Sequence, residues 1–165
     1  MAQQKPDWLP DIVSVNGVWE IVVRRLYQIF ETDFIRAGCH FEGLPVWWDR
    51  RKQGGDTYEE GFWHLITRTD SCTKDRLIDP RRAERLPWCK PVIENSHDVR
   101  IRLWDYRESN NKIRTYIWLE RWDYVVVLEK RSRNRGPIAF LVTAYHVDGE
   151  STRRRLRRKY ENREP

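Results

Sequence analysis

The chain has 165 residues, close to one ordinary domain and too short for two well-filled cores. Charged residues make up 34% of it and apolar ones 39%, a balance that raises disorder, but nine Trp, seven Tyr and five Phe decide against that because each ring buries a large area. The net charge of +6 is local: residues 130–135 and 150–165 together carry +8 and the other 143 carry −2, which suits either a polyanionic partner or a solvated basic helix end.

No apolar run approaches the roughly 20 residues that span a bilayer. The opening MAQQKPDWLP lacks the basic region and apolar stretch of a secretory signal, so a cytoplasmic protein without a membrane partner is expected. Cys39, Cys72 and Cys89 form no C-x-x-C pair and no complete disulfide framework; three reduced, mostly buried thiols are expected.

In chain order, residues 1–15 read as an N-terminal extension of a single domain. From Val18 to Gly38, Trp19, Val22, Val23, Leu26, Ile29, Phe30, Phe34 and Ala37 recur at three- and four-residue steps and predict an amphipathic helix. Asn16 or Ser14 is its expected cap and Gly38 its stop. Residues 39–61 are loop-rich, with a short strand at Val46-Trp47-Trp48. Gly61–Thr69 fits a helical turn or a strand equally. Asp79-Pro80 predicts an N-cap followed by proline at the first helical position, with Pro87 ending that helix. These segments make residues 16–98 a helical and loop-rich part.

Residues 99–147 change period. Four runs, 99–106, 113–121, 124–131 and 138–147, are rich in β-branched and aromatic residues and predict an antiparallel meander. A short, very basic helix follows over 150–162, capped by Glu150 or Ser151, with Leu156 and Tyr160 on one face. The expected fold is α+β: N-terminal helices packed on a four-stranded antiparallel sheet, with a short basic C-terminal helix.

Alternation assigns faces to the strands. Val99, Ile101 and Leu103 oppose Arg100, Arg102, Trp104 and Tyr106. Ile113, Thr115, Ile117 and Leu119 oppose Arg114, Tyr116, Trp118 and Glu120. In the last strand Ile138, Phe140, Val142 and Ala144 form the expected core side, leaving Leu141, Thr143 and Tyr145 opposite, while the third strand shows no clear pattern. The freer face thus collects Arg, Trp, Tyr and Thr. Guanidinium groups meet phosphates and rings accept stacked bases, so Arg100, Arg102, Trp104, Arg114, Tyr116 and Trp118, joined by Arg154, Arg155 and Arg158 of the tail, are candidate RNA contacts. The competing expectation is that Trp104, Tyr116 and Trp118 form a second small core under the loops of residues 39–95.

The sequence has no E-x-K after a β-run carboxylate, no H-E-x-x-H, no D-x-D, no phosphate-cradling glycine loop and no G-x-S-x-G. Neither a metal nor a cofactor is expected. RNA offers a metal-free route, since its own 2′-hydroxyl can attack the neighbouring phosphate if the protein supplies a base, an acid and positive charge. His64, flanked by aromatics in Phe62-Trp63-His64-Leu65-Ile66-Thr67-Arg68, shares a face with Arg68 whether that stretch is helical or extended. His146 falls opposite Thr143 and Tyr145 and is a weaker candidate.

At these residues the sequence resembles the barnase/EndoU/RelE-type nuclease superfamily, in particular its phage- and toxin-associated members. The likeness is one of layout over roughly residues 60–160: a helical first part, the His64 segment, a four-stranded sheet, and a last strand carrying Thr143-x-Tyr145. The resemblance implies an endoribonuclease that leaves a 2′,3′-cyclic phosphate and a 5′-hydroxyl. His64 would be its base or acid, Arg68 and Arg114 would stabilise the phosphorane, and Thr143 and Tyr145 would bind phosphate or orient the base. Members often carry a second His or a Lys in the site, for which Arg100, Arg102, Lys130 and His146 compete here, and Glu120 and Glu129 stand as alternative bases. A toxin-like member would also have a neutralising protein partner. Two other readings stay open: a non-catalytic RNA-binding or nucleoprotein module using the same sheet face and tail, and a protein-binding domain built on exposed Trp residues.

Overall fold

A computed structural model of the chain describes residues 3–165. Helix α1 (Trp19–Phe30) runs without a break into a π-helical segment, Glu31–Arg36. It buries Val22, Val23, Leu26, Phe30 and Phe34, the stripe that the spacing predicts. Gly38, at φ +75°, turns the chain away in the left-handed region that glycine enters freely. The cap differs from expectation: Val18 precedes the helix without a side-chain bond, and the Ser14 hydroxyl accepts the Asn16 N–H in a turn ahead of it. Trp19, expected inside, is 38% exposed, because a side chain at the first helical position leans toward the open N-terminal end. The segment before α1 is tied to the body. Leu9 is buried, and the Trp88 indole donates to the Pro10 carbonyl at 2.8 Å.

Strands β1 (His40–Phe41) and β2 (Leu44–Trp47) form a hairpin. The ambiguous stretch after it is helix and then strand: α2 (Glu60–Ile66) passes directly into β3 (Thr67–Thr69), which pairs with β4 (Arg76–Ile78). Asp79 caps α3 (Pro80–Glu84) as predicted, its carboxylate accepting from the Arg81 and Arg82 N–H groups. A 3-10 turn (Leu86–Trp88) and α4 (Cys89–Glu94) follow.

The meander is present as β5 (Arg102–Arg107), β6 (Ile113–Leu119), β7 (Tyr124–Arg133) and β8 (Gly136–His146). The α+β class holds, but the sheet is larger than four antiparallel strands. Its order is β1-β2-β8-β7-β6-β5, with β2 parallel to β8 through Val46–Ala139 and Trp47–Phe140. So short a strand, interrupted by Pro45, carries too little alternation to announce its partner. The first run also starts late. The Asp98 carboxylate takes the Arg100 N–H and the Asp98 carbonyl takes that of Ile101, so residues 98–101 form a turn and Val99, expected on the core side, is 93% exposed.

Both faces of the sheet are covered. Leu103, Ile117, Leu119, Tyr124, Val126, Leu128, Leu141 and Ala144 pack toward the N-terminal helices. Trp104, Tyr116, Trp118, Val125 and Val127 pack on the other side with Leu156 and Tyr160 of α5 (Gly149–Glu161). Strand β7 is buried on both sides over Tyr124–Glu129, which is why it shows no alternation. Strand β8 carries a bulge: Val127 lies opposite Thr143 but Leu128 lies opposite Leu141, leaving Val142 unpaired. A bulge reverses parity. Ile138 and Phe140, expected on the core side, therefore share a face with Thr143 and Tyr145, and Leu141 turns to the helical core.

Helix α5 corrects the expectation of an open sheet face. Trp104, Tyr116 and Trp118 are no more than 4% exposed beneath it, so the second small core exists but lies under this helix and not under residues 39–95. Its cations pair with acids of the turns between strands. Lys159 reaches Glu108 at 2.9 Å and the Tyr116 hydroxyl at 2.7 Å, and Arg153 reaches Asp123 at 2.7 Å. The N-cap is Asp148, without a side-chain bond, where Glu150 or Ser151 was expected. All three cysteines are free, Cys39 and Cys89 buried and Cys72 exposed. Burial pushes the Cys39 thiol up to about 12.

Candidate functional site

Helix α2 is fixed from every side. Gly61 sits flat against Trp48, so closely that a Cβ would lie 2.7 Å from the indole Cδ1. The Trp63 indole donates to Asp56 at 2.9 Å, and Glu59 accepts from the Tyr27 hydroxyl at 3.1 Å. Carbonyls at the C-terminal end of the helix are held from outside it: Trp63 O by the Thr67 hydroxyl at 2.6 Å, Ile66 O by the Asp79 N–H at 2.9 Å. Arg82 clasps the same end, donating to His64 O at 3.3 Å and Thr67 O at 2.7 Å, a cation where the helix dipole is negative. Phe62 and Leu65 go into the core, which leaves the His64 side chain pointing outward, 44% exposed.

His64 opens onto a cleft of about 270 Å³ lined by His64, Thr67, Arg68, Thr69, Arg76, Arg82, Val142 and Thr143. Strand β8 supplies one wall, α2 with the β3–β4 ribbon another. The walls are cationic and hydroxylic. Glu60, one turn before His64 and only 4% exposed, holds Arg76 through a two-pronged ion pair and lies 3.8 Å from His64 Nε2. Burial lowers the His64 pKa below the usual imidazole value, Glu60 opposes this, and the charges of Arg76 and Arg82 act with burial. The imidazole is therefore uncharged at neutral pH. Burial likewise raises the Tyr145 phenol, keeping it protonated.

Of the residues proposed for chemistry, His64, Arg68 and Thr143 meet in this cleft, and the Thr143 hydroxyl donates to His64 O at 3.5 Å. Tyr145 stands behind the wall, with the Arg82 guanidinium 5.3 Å over its ring. The flanking aromatics do not present to a ligand, since Phe62 is fully buried and Trp63 packs on Tyr58 and Phe62. The sheet-face contacts do not join them. Trp104, Tyr116 and Trp118 are buried, and the three guanidiniums are engaged: Arg100 with Asp98, Arg102 with Glu120 at 2.7 Å, and Arg114 with Glu129 at 3.7 Å. Arg114 does not line the cleft. His146 faces the helical core, opposite Tyr124. In the tail, Arg154, Arg155 and Arg158 are exposed and have no ion pair among the described residues. Tyr145 packs against the cluster that holds Leu156, the neighbour of Arg155, so this edge of α5 lies beside the residue behind the cleft wall. An interface built on Trp has little to stand on: of the nine, only Trp19 is exposed.

Glu60, Arg76 and Arg82 belong to the site and were not among the residues singled out. Glu60 stands four residues before His64, the helical spacing of a paired face, and would have followed from a helical reading of that stretch. Arg76 and Arg82 arrive through the β3–β4 ribbon and the α3 cap, which no local pattern connects to His64.

Among the described residues, no group of three or more His, Cys, Asp or Glu is placed to hold a metal ion, and no helix is long and apolar enough to cross a membrane. No protein-family model, curated protein or solved structure matches the chain.

Proposed function

We propose that the chain is a metal-independent endoribonuclease acting at the His64 cleft. The observation that carries this reading is a half-exposed imidazole opening into a cleft whose other polar groups are three arginines and three threonines; burial and the nearby guanidiniums favour its uncharged form. A neutral imidazole takes a proton; guanidiniums and hydroxyls hold a phosphate and the charge it gains.

The reaction follows from those roles. His64 removes the proton of a ribose 2′-hydroxyl as that oxygen forms a bond to the adjacent phosphorus. The resulting imidazolium is stabilised by Glu60. Arg68 and Arg76 face the phosphate and offset the extra negative charge of the phosphorane. The bond from phosphorus to the 5′-oxygen then breaks, the departing oxygen takes a proton from water at the open mouth of the cleft, and a 2′,3′-cyclic phosphate remains. Arg82 acts as a positioning residue: it fixes the carbonyl of His64 and so the imidazole above it. Arg154, Arg155 and Arg158 extend the basic surface beyond the wall and would follow the phosphates of the strand.

The test is cleavage of single-stranded RNA in the presence of a chelator. His64→Gln should lose about 10²–10⁴-fold in rate, the usual range for a general base. Arg68→Ala, at an exposed position, should lose about 10²–10³-fold with an unchanged melting temperature. Native rates in both variants would overturn the assignment.

A further inference from the structure

A second basic surface, on the same sheet face, is left open where the core under α5 ends. Trp47 of β2 and Phe140 of β8 are neighbours across the parallel pair, and with Asp49, Arg50, Arg51, Arg131 and Arg133 they line a groove of about 520 Å³. Its rings and cations interleave. The guanidinium carbons of Arg50 and Arg133 lie over the Trp47 ring, 5.0 and 5.4 Å from its centroid, and that of Arg131 lies over Phe140 at 3.8 Å. Asp49 neutralises Arg51, and Glu129 neutralises Arg131. Arg50 and Arg133 are exposed and have no ion pair among the described residues.

The groove neighbours the His64 cleft along β8, the two sharing no lining residue. Phe140 and Thr143 lie on one face because of the bulge, three residues apart along β8, about 10 Å at strand rise. On the other side Asp49, which lines the groove, accepts the Gly61 N–H of α2 through its carbonyl at 2.8 Å, three residues before His64.

We propose that this groove binds a base of single-stranded RNA, stacked on Trp47 and flanked by the Arg50 and Arg133 guanidiniums, next to the phosphate held in the His64 cleft. The inference rests on the ribonuclease reading for its choice of substrate. A ring system carrying an anion is the occupant that suits the groove: the indole accepts the flat face of a base, and the two free guanidiniums accept its phosphates. A duplex keeps its bases stacked inside and cannot offer one. The groove therefore selects unpaired strands.

The experiment is fluorescence anisotropy with a labelled single-stranded RNA, the same strand in a duplex, and the same strand with abasic riboses, using the native chain, Trp47→Leu and Arg133→Ala. The native chain should prefer the unpaired strand with bases. Trp47→Leu should weaken that binding about tenfold or more, as loss of one base stack does, and leave the abasic strand unaffected. Arg133→Ala, at an exposed position outside the core, guards against a misfolded Trp47 variant and should weaken binding in the same direction. Equal native binding of all three ligands, or native-like binding by both variants, would overturn the base subsite. Base-dependent binding lost in Trp47→Leu, with the RNA left whole by the native chain, would uphold the subsite and overturn the cleavage reading.

Discussion

Replacing Gly61 by alanine should displace the His64 imidazole without touching it. The new Cβ would lie 2.7 Å from Trp48 Cδ1 and 2.8 Å from Trp48 Cβ. Carbon pairs settle at about 3.5–4.0 Å, so the site is about 0.7–1.3 Å too narrow. Trp48 cannot swing clear by a change of rotamer alone. It is 7% exposed, meets Phe30 and Phe34 edge-on at 5.5 and 6.1 Å, and one of the two clashes is with its Cβ, next to the backbone. Helix α2 must move instead and carry His64, three residues further on, with it. Overpacking of this kind costs about 1–3 kcal/mol. Helix propensity favours alanine by up to about 1 kcal/mol, and by less in the first turn where Gly61 sits. A net loss of about 1–2 kcal/mol corresponds to a fall in melting temperature of about 2–8 °C for a domain of this size. A shift near 1 Å at a reacting group costs about 10²-fold, so cleavage of RNA should fall by about 10- to 100-fold. Melting followed by calorimetry, and cleavage rates measured well below the transition, read the two effects separately. An unchanged or raised melting temperature with native cleavage would refute the reasoning, because it would mean that Trp48 yields and does not hold the helix.

Leu156→Ala removes the one fully buried side chain of α5 and should cost about 2–5 kcal/mol, with the fluorescence of Trp104 and Trp118 shifting toward that of solvated indole; a loss below about 1 kcal/mol would show that the ion pairs dock the helix. Glu60→Gln removes the group that favours imidazolium and frees Arg76 beside it, so His64 should titrate lower by NMR; Arg76→Gln should make it titrate higher. Shifts of the opposite sign would contradict the electrostatics of the cleft. Burial, aided by neighbouring arginines, also lowers His146, so both imidazoles bind protons more readily in the unfolded chain. The stability they contribute is whole above about pH 6.5 and is lost as pH falls to their lower folded values, so urea midpoints should drop between about pH 7 and pH 5 and the drop should shrink in His146→Phe.

The parts of the fold that were legible in the sequence are those with a strong local signal. Helix α1 and the basic last helix have an apolar stripe, the four long strands are runs of β-branched and aromatic residues, and the Asp79-Pro80 start is marked by its cap. What escaped was decided by tertiary partners. Strand β2 gains its identity only from β8, and the Val142 bulge shows no local mark, yet it reassigns Ile138, Phe140 and Leu141. Residue charge also misled. Arginines 100, 102 and 114 look like a ligand surface when counted, but each has a carboxylate: Asp98 two residues before Arg100, and Glu120 and Glu129, which only the folded chain brings to Arg102 and Arg114; α5 likewise uses its own cations on acids of the turns between strands. The mixture of rings and guanidiniums sought on β5 and β6 does occur on an open part of that face, at Trp47, Phe140 and Arg133, where two strands distant in sequence meet. His64, Arg68 and Thr143 could be named because the first two share a segment and the third lies on a strand whose end was readable.

The most direct measurement uses an RNA strand and a matched strand with 2′-deoxyribose at every position, each incubated with the native chain and a chelator. Cleavage of the RNA alone, with 2′,3′-cyclic phosphate and 5′-hydroxyl ends identified by mass spectrometry, is the predicted result. An intact RNA, cleavage of the deoxy strand as well, or products bearing a 5′-phosphate would contradict attack by the 2′-hydroxyl at the His64 cleft.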